Sequence, residues 1–331
     1  MAYWTIDLDS SDILCKFELH IRQKPACKLC DRTNELADYG VQEKKMECFQ
    51  YNDMSIYYKR VGKGKPVIFL HNGGNSHVIW ERQISLLSDS HECFAFDLPG
   101  YGMSANPDVR YSLGLYTGFL DAFLVQSGMA HVTLVGHCIG SAISLRYAME
   151  KTERVARIVL FNVLTKATVR AGMLGLLFKA TAPFPGVRRF VRETFGDFTI
   201  PKIIGDYSIN VQFGSRGEKS QALISQLQQV YRQKGQLGAL ADILADIESF
   251  DPLDHFEIPP GFPETMVIWG EENRILPYTA GKKLTNTLKP HRFVPIHGGG
   301  HLVMHELSDE INPILSGFIR GGQEATEVLP G

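Results

Sequence analysis

At 331 residues, 44% of them hydrophobic, the chain has the composition of an ordinary globular protein and room for one α/β core carrying an insertion. Its 34 Lys and Arg against 36 Asp and Glu leave a net charge of −2, which makes no electrostatic case for a nucleic-acid partner. The acidic start MAYWTIDLDSSD lacks the pattern of a secretory signal and no apolar run could span a bilayer, so a reducing compartment, by default the cytoplasm, is expected for its six cysteines.

Residues 1–44 form an extension expected to pack on the core, cover a pocket mouth or mediate a dimer contact. It carries Cys15, His20, Cys27 and Cys30. Cys27-Lys28-Leu29-Cys30 is a C-x-x-C, but the spacing of the four matches no standard zinc module, so no metal and no cofactor is assigned. Two short strands at 47–51 and 54–60 flank the turn pair Asn52-Asp53. A buried strand at 65–71 runs into Asn72-Gly73-Gly74-Asn75, followed by an amphipathic helix with Trp80, Ile84, Leu86 and Leu87. The strand at 92–96 leads into Asp97-Leu98-Pro99-Gly100-Tyr101-Gly102-Met103-Ser104, a turn-forming run, and a helix is predicted at about 113–127.

The β-branched run at 132–135 is the most decisive stretch, because a helix rich in small residues starts at its end. Between them stands Gly136-His137-Cys138-Ile139-Gly140. A strand turning at once into a helix strains its corner residue, and glycines two positions either side let the arms approach. The corner side chain, Cys138, then stands over a helix N-terminus, where anionic charge is favoured. A further strand is expected at 155–161.

From about 164 to 256 the strand–helix alternation stops. Met173, Leu174, Leu176, Leu177 and Phe178 form an apolar stretch, and Arg188, Arg189 and Arg192 cluster with Phe190 and Phe195. Helices are predicted at about 217–233 and 235–248. The core resumes at 257–320 with a strand at 265–270, the turn Glu271-Glu272-Asn273-Arg274-Ile275-Leu276-Pro277, a strand at 292–296, and His297-Gly298-Gly299-Gly300-His301 before a helix; 321–331 is a tail.

Five landmarks in this order, HNGG, DLPGYGMS, GHCIG, WGEENRILP and GGGH, resemble the α/β-hydrolase fold superfamily across residues 45–320. The resemblance implies a mostly parallel central sheet flanked by helices, with a helical cap (164–256) inserted after the sixth strand and dividing the core into 45–163 and 257–320. It implies that GHCIG is the nucleophile elbow, with Cys138 where serine is usual. Gly73 and Ile139 then supply the oxyanion N–H groups, and His301 is the base, with His297 and His305 as alternatives. Where the superfamily usually places the acid Asp, this chain has Asn273; Glu271 and Glu272 are the nearest carboxylates that could orient the histidine instead. The two departures fit each other, because a cysteine can give its proton to histidine in advance, as a thiolate–imidazolium pair, leaving the third group only to orient the ring. Asn72, His137, Arg188 and Arg189 are the expected substrate contacts.

A cysteine elbow is also similar to those of polyhydroxyalkanoate synthases and dienelactone hydrolases, although both have glycine where this chain has Ser141. The expected function is acyl transfer or thioester/ester hydrolysis through an acyl-Cys138, with an apolar cap and a basic patch suited to coenzyme A- or carrier-protein-linked acyl groups. A lactone or dienelactone hydrolase, a C–C bond enzyme of the same fold, and a non-catalytic binder stand as alternatives.

Overall fold

The computed structural model describes residues 46–107, 109–173, 175, 201–233 and 235–321. Eight strands form one sheet in the order β1-β2-β4-β3-β5-β6-β7-β8. β1 (Glu47–Tyr51) and β2 (Met54–Gly62) are an antiparallel hairpin turned by Asn52 and Asp53. Both turn residues take positive φ, 45° and 62°, as a two-residue turn matched to strand twist demands. β2 also pairs antiparallel with β4 (His91–Phe96) as far as Gly62, two residues beyond the predicted end.

All remaining pairings are parallel: β3 (Lys65–Leu70), β4, β5 (Val132–His137), β6 (Val155–Phe161), β7 (Glu264–Gly270) and β8 (Arg292–Ile296). Parallel strands need long crossovers, supplied here by helices that cover both faces, so the strands read as unbroken apolar runs. Along β3 the side chains alternate: Val67 and Phe69 join one apolar cluster, Ile68 and Leu70 the other. β5 continues past its predicted end at 135, because Gly136 and His137 pair with Leu160 and Phe161. Sheet register here overrides a residue that reads as a strand terminator.

The crossover helices are α1 (Glu81–Leu87), α2 (Leu113–Gln126) and α3 (Ile139–Glu150). After β6 the helices α4 (Lys166–Ala171), α5 (Lys202–Asn210), α6 (Gln221–Tyr231), α7 (Gln236–Ala245) and α8 (Asp251–Asp254) form the cap before β7 begins. Two of them are shorter than predicted. Ser220 starts α6 by accepting the Leu223 N–H, and the chain after α7 tightens into a 3-10 turn at Ile247–Phe250. The expected arginine patch of Arg188, Arg189 and Arg192 lies outside the described residues, as do Cys15, His20, Cys27 and Cys30. The core closes with α9 (Tyr278–Leu288), α10 (Val303–Glu306) and α11 (Ser308–Arg320). Among the described residues no helix is long and apolar enough to cross a membrane.

Candidate active site

Cys138 sits at the junction of β5 and α3 with φ 54° and ψ −106°, a conformation that costs a non-glycine residue energy. Neighbouring backbone holds it there: its N–H donates to Phe161 O at 2.9 Å, and its carbonyl accepts from Ala142 and Leu164. Both flanking glycines are sterically required. A Cβ on Gly136 would overlap the Gly140 carbonyl, and one on Gly140 would overlap the carbonyl of Leu70 at the end of β3. Ser141, where the cysteine-elbow enzymes named above have glycine, donates its hydroxyl to the Gly136 and Phe161 carbonyls and ties the start of α3 to β5 and β6.

His301 lies beyond β8, after a glycine run that packs backbone to backbone on its neighbours; Gly270 at the end of β7 abuts Gly299 and Gly300. Its ring Nδ1 is 3.2 Å from Asn273 Oδ1. The Ile275 and Leu276 N–H groups also donate to that oxygen, at 3.0 Å each. An amide nitrogen could accept none of these bonds, so the donors identify the oxygen and with it the tautomer. His301 carries its proton on Nδ1, and Nε2 keeps a lone pair. Glu271 pairs instead with the exposed His297 (3.1 Å), and Glu272 with the N–H and hydroxyl of Ser215. His305 is buried one turn further on, its Nδ1 without a partner among the described residues.

Asn162, one residue after β6, is a participant the sequence did not reveal. Its φ of 47° lets the side chain bridge two loops, donating to His301 O at 2.8 Å and accepting from Gly270 N–H at 3.1 Å. An Asn tolerating positive φ after a buried strand was the only available signal. Gln212 of the cap was equally hidden; its carbonyl accepts the N–H groups of His301 (2.6 Å) and Leu302 (3.2 Å).

The loop after β3 is set by His71. Leu98 N–H donates to His71 Nε2 at 2.9 Å, so the ring proton is on Nδ1, which donates to Asn72 O at 2.6 Å. In a trans peptide the N–H points opposite its C=O, so the Gly73 N–H is turned away from His71. Asn72 spends its side chain on Asn75 (2.6 Å) and Gln212 (3.4 Å). The cap covers this loop: a Cβ on Gly73 would touch Leu240 of α7, and one on Gly74 would touch Tyr231 of α6. His137 is fully buried, its ring centroid 4.4 Å from that of His301.

Burial dominates the electrostatics. It pushes the Cys138 thiol up to about 12, with the Ile139 N–H pulling weakly the other way, and it pushes His301 down to about 3. Both shifts favour the neutral thiol and the neutral imidazole over the thiolate–imidazolium pair expected from the sequence. His71 is held near 4 by burial, in keeping with its neutral tautomer. Glu306, on α10, is pushed up to about 7 by burial although it accepts N–H bonds from Gly214 (2.6 Å) and Gly300 (3.2 Å).

A mostly parallel sheet with a cap after its sixth strand, and a buried cysteine at the strained turn between β5 and α3, describe an enzyme of α/β-hydrolase type. The chain belongs to the alpha/beta hydrolase fold family, which it matches over residues 65–306. It is 24% identical over 280 residues to a putative non-heme chloroperoxidase of Synechocystis, covering 81% of this chain and 95% of that one. It is also 24% identical over 298 residues to the 2-hydroxy-6-oxo-6-phenylhexa-2,4-dienoate hydrolase of Comamonas testosteroni, covering 81% and 92%. Among solved structures it resembles the enol-lactonase of Burkholderia xenovorans LB400 with a TM-score of 0.68 at 18% identity, over 83% of this chain and all of the other.

Proposed function

We propose that the protein hydrolyses carboxylic esters or lactones through a thioester on Cys138, with His301 as base and Asn273 as the neutral group that orients it. The observation that carries this is the shared Asn273 oxygen. By accepting from His301 Nδ1–H it leaves Nε2 as the ring's proton acceptor, on a histidine whose partner ring, His137, immediately precedes the cysteine.

Cys138 Sγ attacks the carbonyl carbon as its proton passes to His301 Nε2. The developing oxyanion is received by the N–H groups of Gly73 and Ile139. Collapse of the tetrahedral intermediate breaks the acyl C–O bond, and the imidazolium protonates the departing alkoxide; in a lactone this alcohol stays attached to the acyl chain. Water then attacks the thioester while giving a proton to His301, and the carboxylic acid leaves as that proton returns to sulfur. Because thiol and imidazole start neutral, proton transfer belongs to the attack step and not to the resting state.

Hydrolysis is favoured over transfer to a carrier-linked acceptor by the hydrolase and lactonase among the similar proteins. Leu240 against Gly73, and Ala239 against Gly100, give the covering helix an apolar underside that suits a hydrocarbon acyl chain. The test is a panel of aryl esters, lactones, a dienoate with a cleavable C–C bond, and acyl-coenzyme A thioesters, with intact-mass detection of the acyl-enzyme. Ester or lactone turnover with an acyl adduct confined to Cys138 is expected; full turnover by Cys138→Ala would overturn the mechanism.

A further inference from the structure

Tyr101 lies in the turn after β4, 1% exposed, and among the described residues its hydroxyl has no hydrogen-bond partner. The neighbouring tyrosines differ. The Tyr111 hydroxyl donates to Asn106 Oδ1 at 2.9 Å, that of Tyr116 to Pro99 O at 3.1 Å, and that of Tyr231 accepts from Gln212 Nε2 at 3.2 Å. An unpaired buried hydroxyl costs stability that phenylalanine would not lose, so its retention calls for a partner that arrives later.

The position of the hydroxyl says what that partner is. A Cβ on Gly73 would stand 3.3 Å from the Tyr101 oxygen, so the hydroxyl lies against the residue whose N–H is turned away from His71. The Tyr101 ring meets the His71 ring edge-on at 5.7 Å, so one histidine braces both the peptide and the phenol. The backbone is held as firmly: Tyr101 N–H donates to Leu98 O at 2.9 Å, between Gly100 and Gly102, both at positive φ. Tyr101 and Cys138 lie in the same buried cluster, and burial keeps the phenol well above its ordinary pKa, so it is a donor that does not ionise.

We propose that the Tyr101 hydroxyl is a third oxyanion donor, contributing to the tetrahedral intermediate on Cys138 alongside the N–H groups of Gly73 and Ile139. This rests on the Cys138 reading. The phenol lends a hydrogen bond and transfers no proton, so the bonds made and broken stay those of the thioester mechanism. A neutral donor pre-aimed in a water-poor site acts only when charge develops, and it therefore affects kcat more than KM.

The test compares wild type with Tyr101→Phe, measuring kcat, KM, Tm, and inhibition by a trifluoromethyl ketone that adds reversibly to the thiol. Loss of one oxyanion donor lowers kcat about 10²- to 10³-fold. KM should change little, the ketone should bind more weakly by a comparable factor, and affinity for the product carboxylate should be unchanged. Tm should stay level or rise, because an unpaired hydroxyl has been removed. A variant that keeps kcat and ketone affinity, or loses both together with Tm, overturns the proposal. Cys138→Ala, run beside it, separates the two ideas: if it is inactive while Tyr101→Phe behaves as wild type, only the tyrosine assignment fails.

Discussion

Replacing Asn273 with Asp tests how the site manages charge. The new carboxylate would accept from Ile275 and Leu276 N–H, which offsets much of its desolvation, and would face His301 Nδ1 across the present 3.2 Å contact. Opposite charges centred about 4 Å apart interact by about 4 kcal/mol at an effective dielectric of 20, equivalent to about 3 pKa units. That would lift His301 from about 3 to roughly 6. A raised histidine pKa means that the base is protonated, and lost, below that value. Wild-type kcat/KM should therefore be flat from pH 5 to 8 in its histidine dependence, whereas Asn273→Asp should acquire an acid limb centred near pH 6. Above the limb the variant should be the faster, by at most ~10³-fold if all of the interaction reaches the transition state. Imidazole 1H–15N shifts of His301 report the same titration directly. A wild-type acid limb near pH 6–7, or superimposable profiles, would refute burial as the controlling term. A resting thiolate–imidazolium pair would show itself by slower turnover of the variant at neutral pH.

Gly140→Ala should cost about 4 kcal/mol or more, because the added methyl overlaps the backbone carbonyl of Leu70, which cannot move without opening the sheet; a chemical denaturation curve measures it. Asn162→Ala leaves the His301 carbonyl and the Gly270 N–H without their buried partner and should lose about 2–4 kcal/mol, with Asn162→Gly, free of the left-handed backbone strain at φ 47°, less costly by about 1 kcal/mol. Glu306 is raised from 4.5 to about 7, so its contribution is full below pH 4.5 and is lost as pH rises through 7, about 3 kcal/mol in all. Glu306→Gln should therefore be less pH-sensitive than wild type, gaining on it between pH 5 and pH 8 in paired urea titrations; parallel curves would show that Glu306 is not the group titrating.

Much of the fold was legible because buried parallel strands write themselves as continuous apolar runs. The runs at 65–70, 155–161 and 265–270 needed little more than recognition of their turns. The elbow was legible because its steric demand falls on two glycines at fixed spacing. What stayed hidden depends on contacts between distant segments. Nothing around Gln212 announces that its carbonyl will hold the histidine loop, and nothing around Asn162 announces a bridge between His301 and Gly270. The upward pull of burial on the Cys138 thiol was hidden for a similar reason. It follows from how completely the cap and the sheet ends exclude water, and that belongs to the assembled fold rather than to any motif.

The depth at which Cys138 is held has a consequence for its chemistry with small reagents. A thiol held near 12 presents only about one part in 10⁵ as thiolate at pH 7. Peroxide, iodoacetamide and maleimides react through thiolate, so the idle enzyme should be among the slowest cysteines in a mixture to oxidise or alkylate, with half-buried Cys48 modified ahead of it. Surveys that find catalytic cysteines by their hyper-reactivity would pass over this one. A substrate-like electrophile brings its own carbonyl to the oxyanion donors and lets His301 take the proton as the bond forms, so such a reagent should label Cys138 selectively where generic thiol reagents do not.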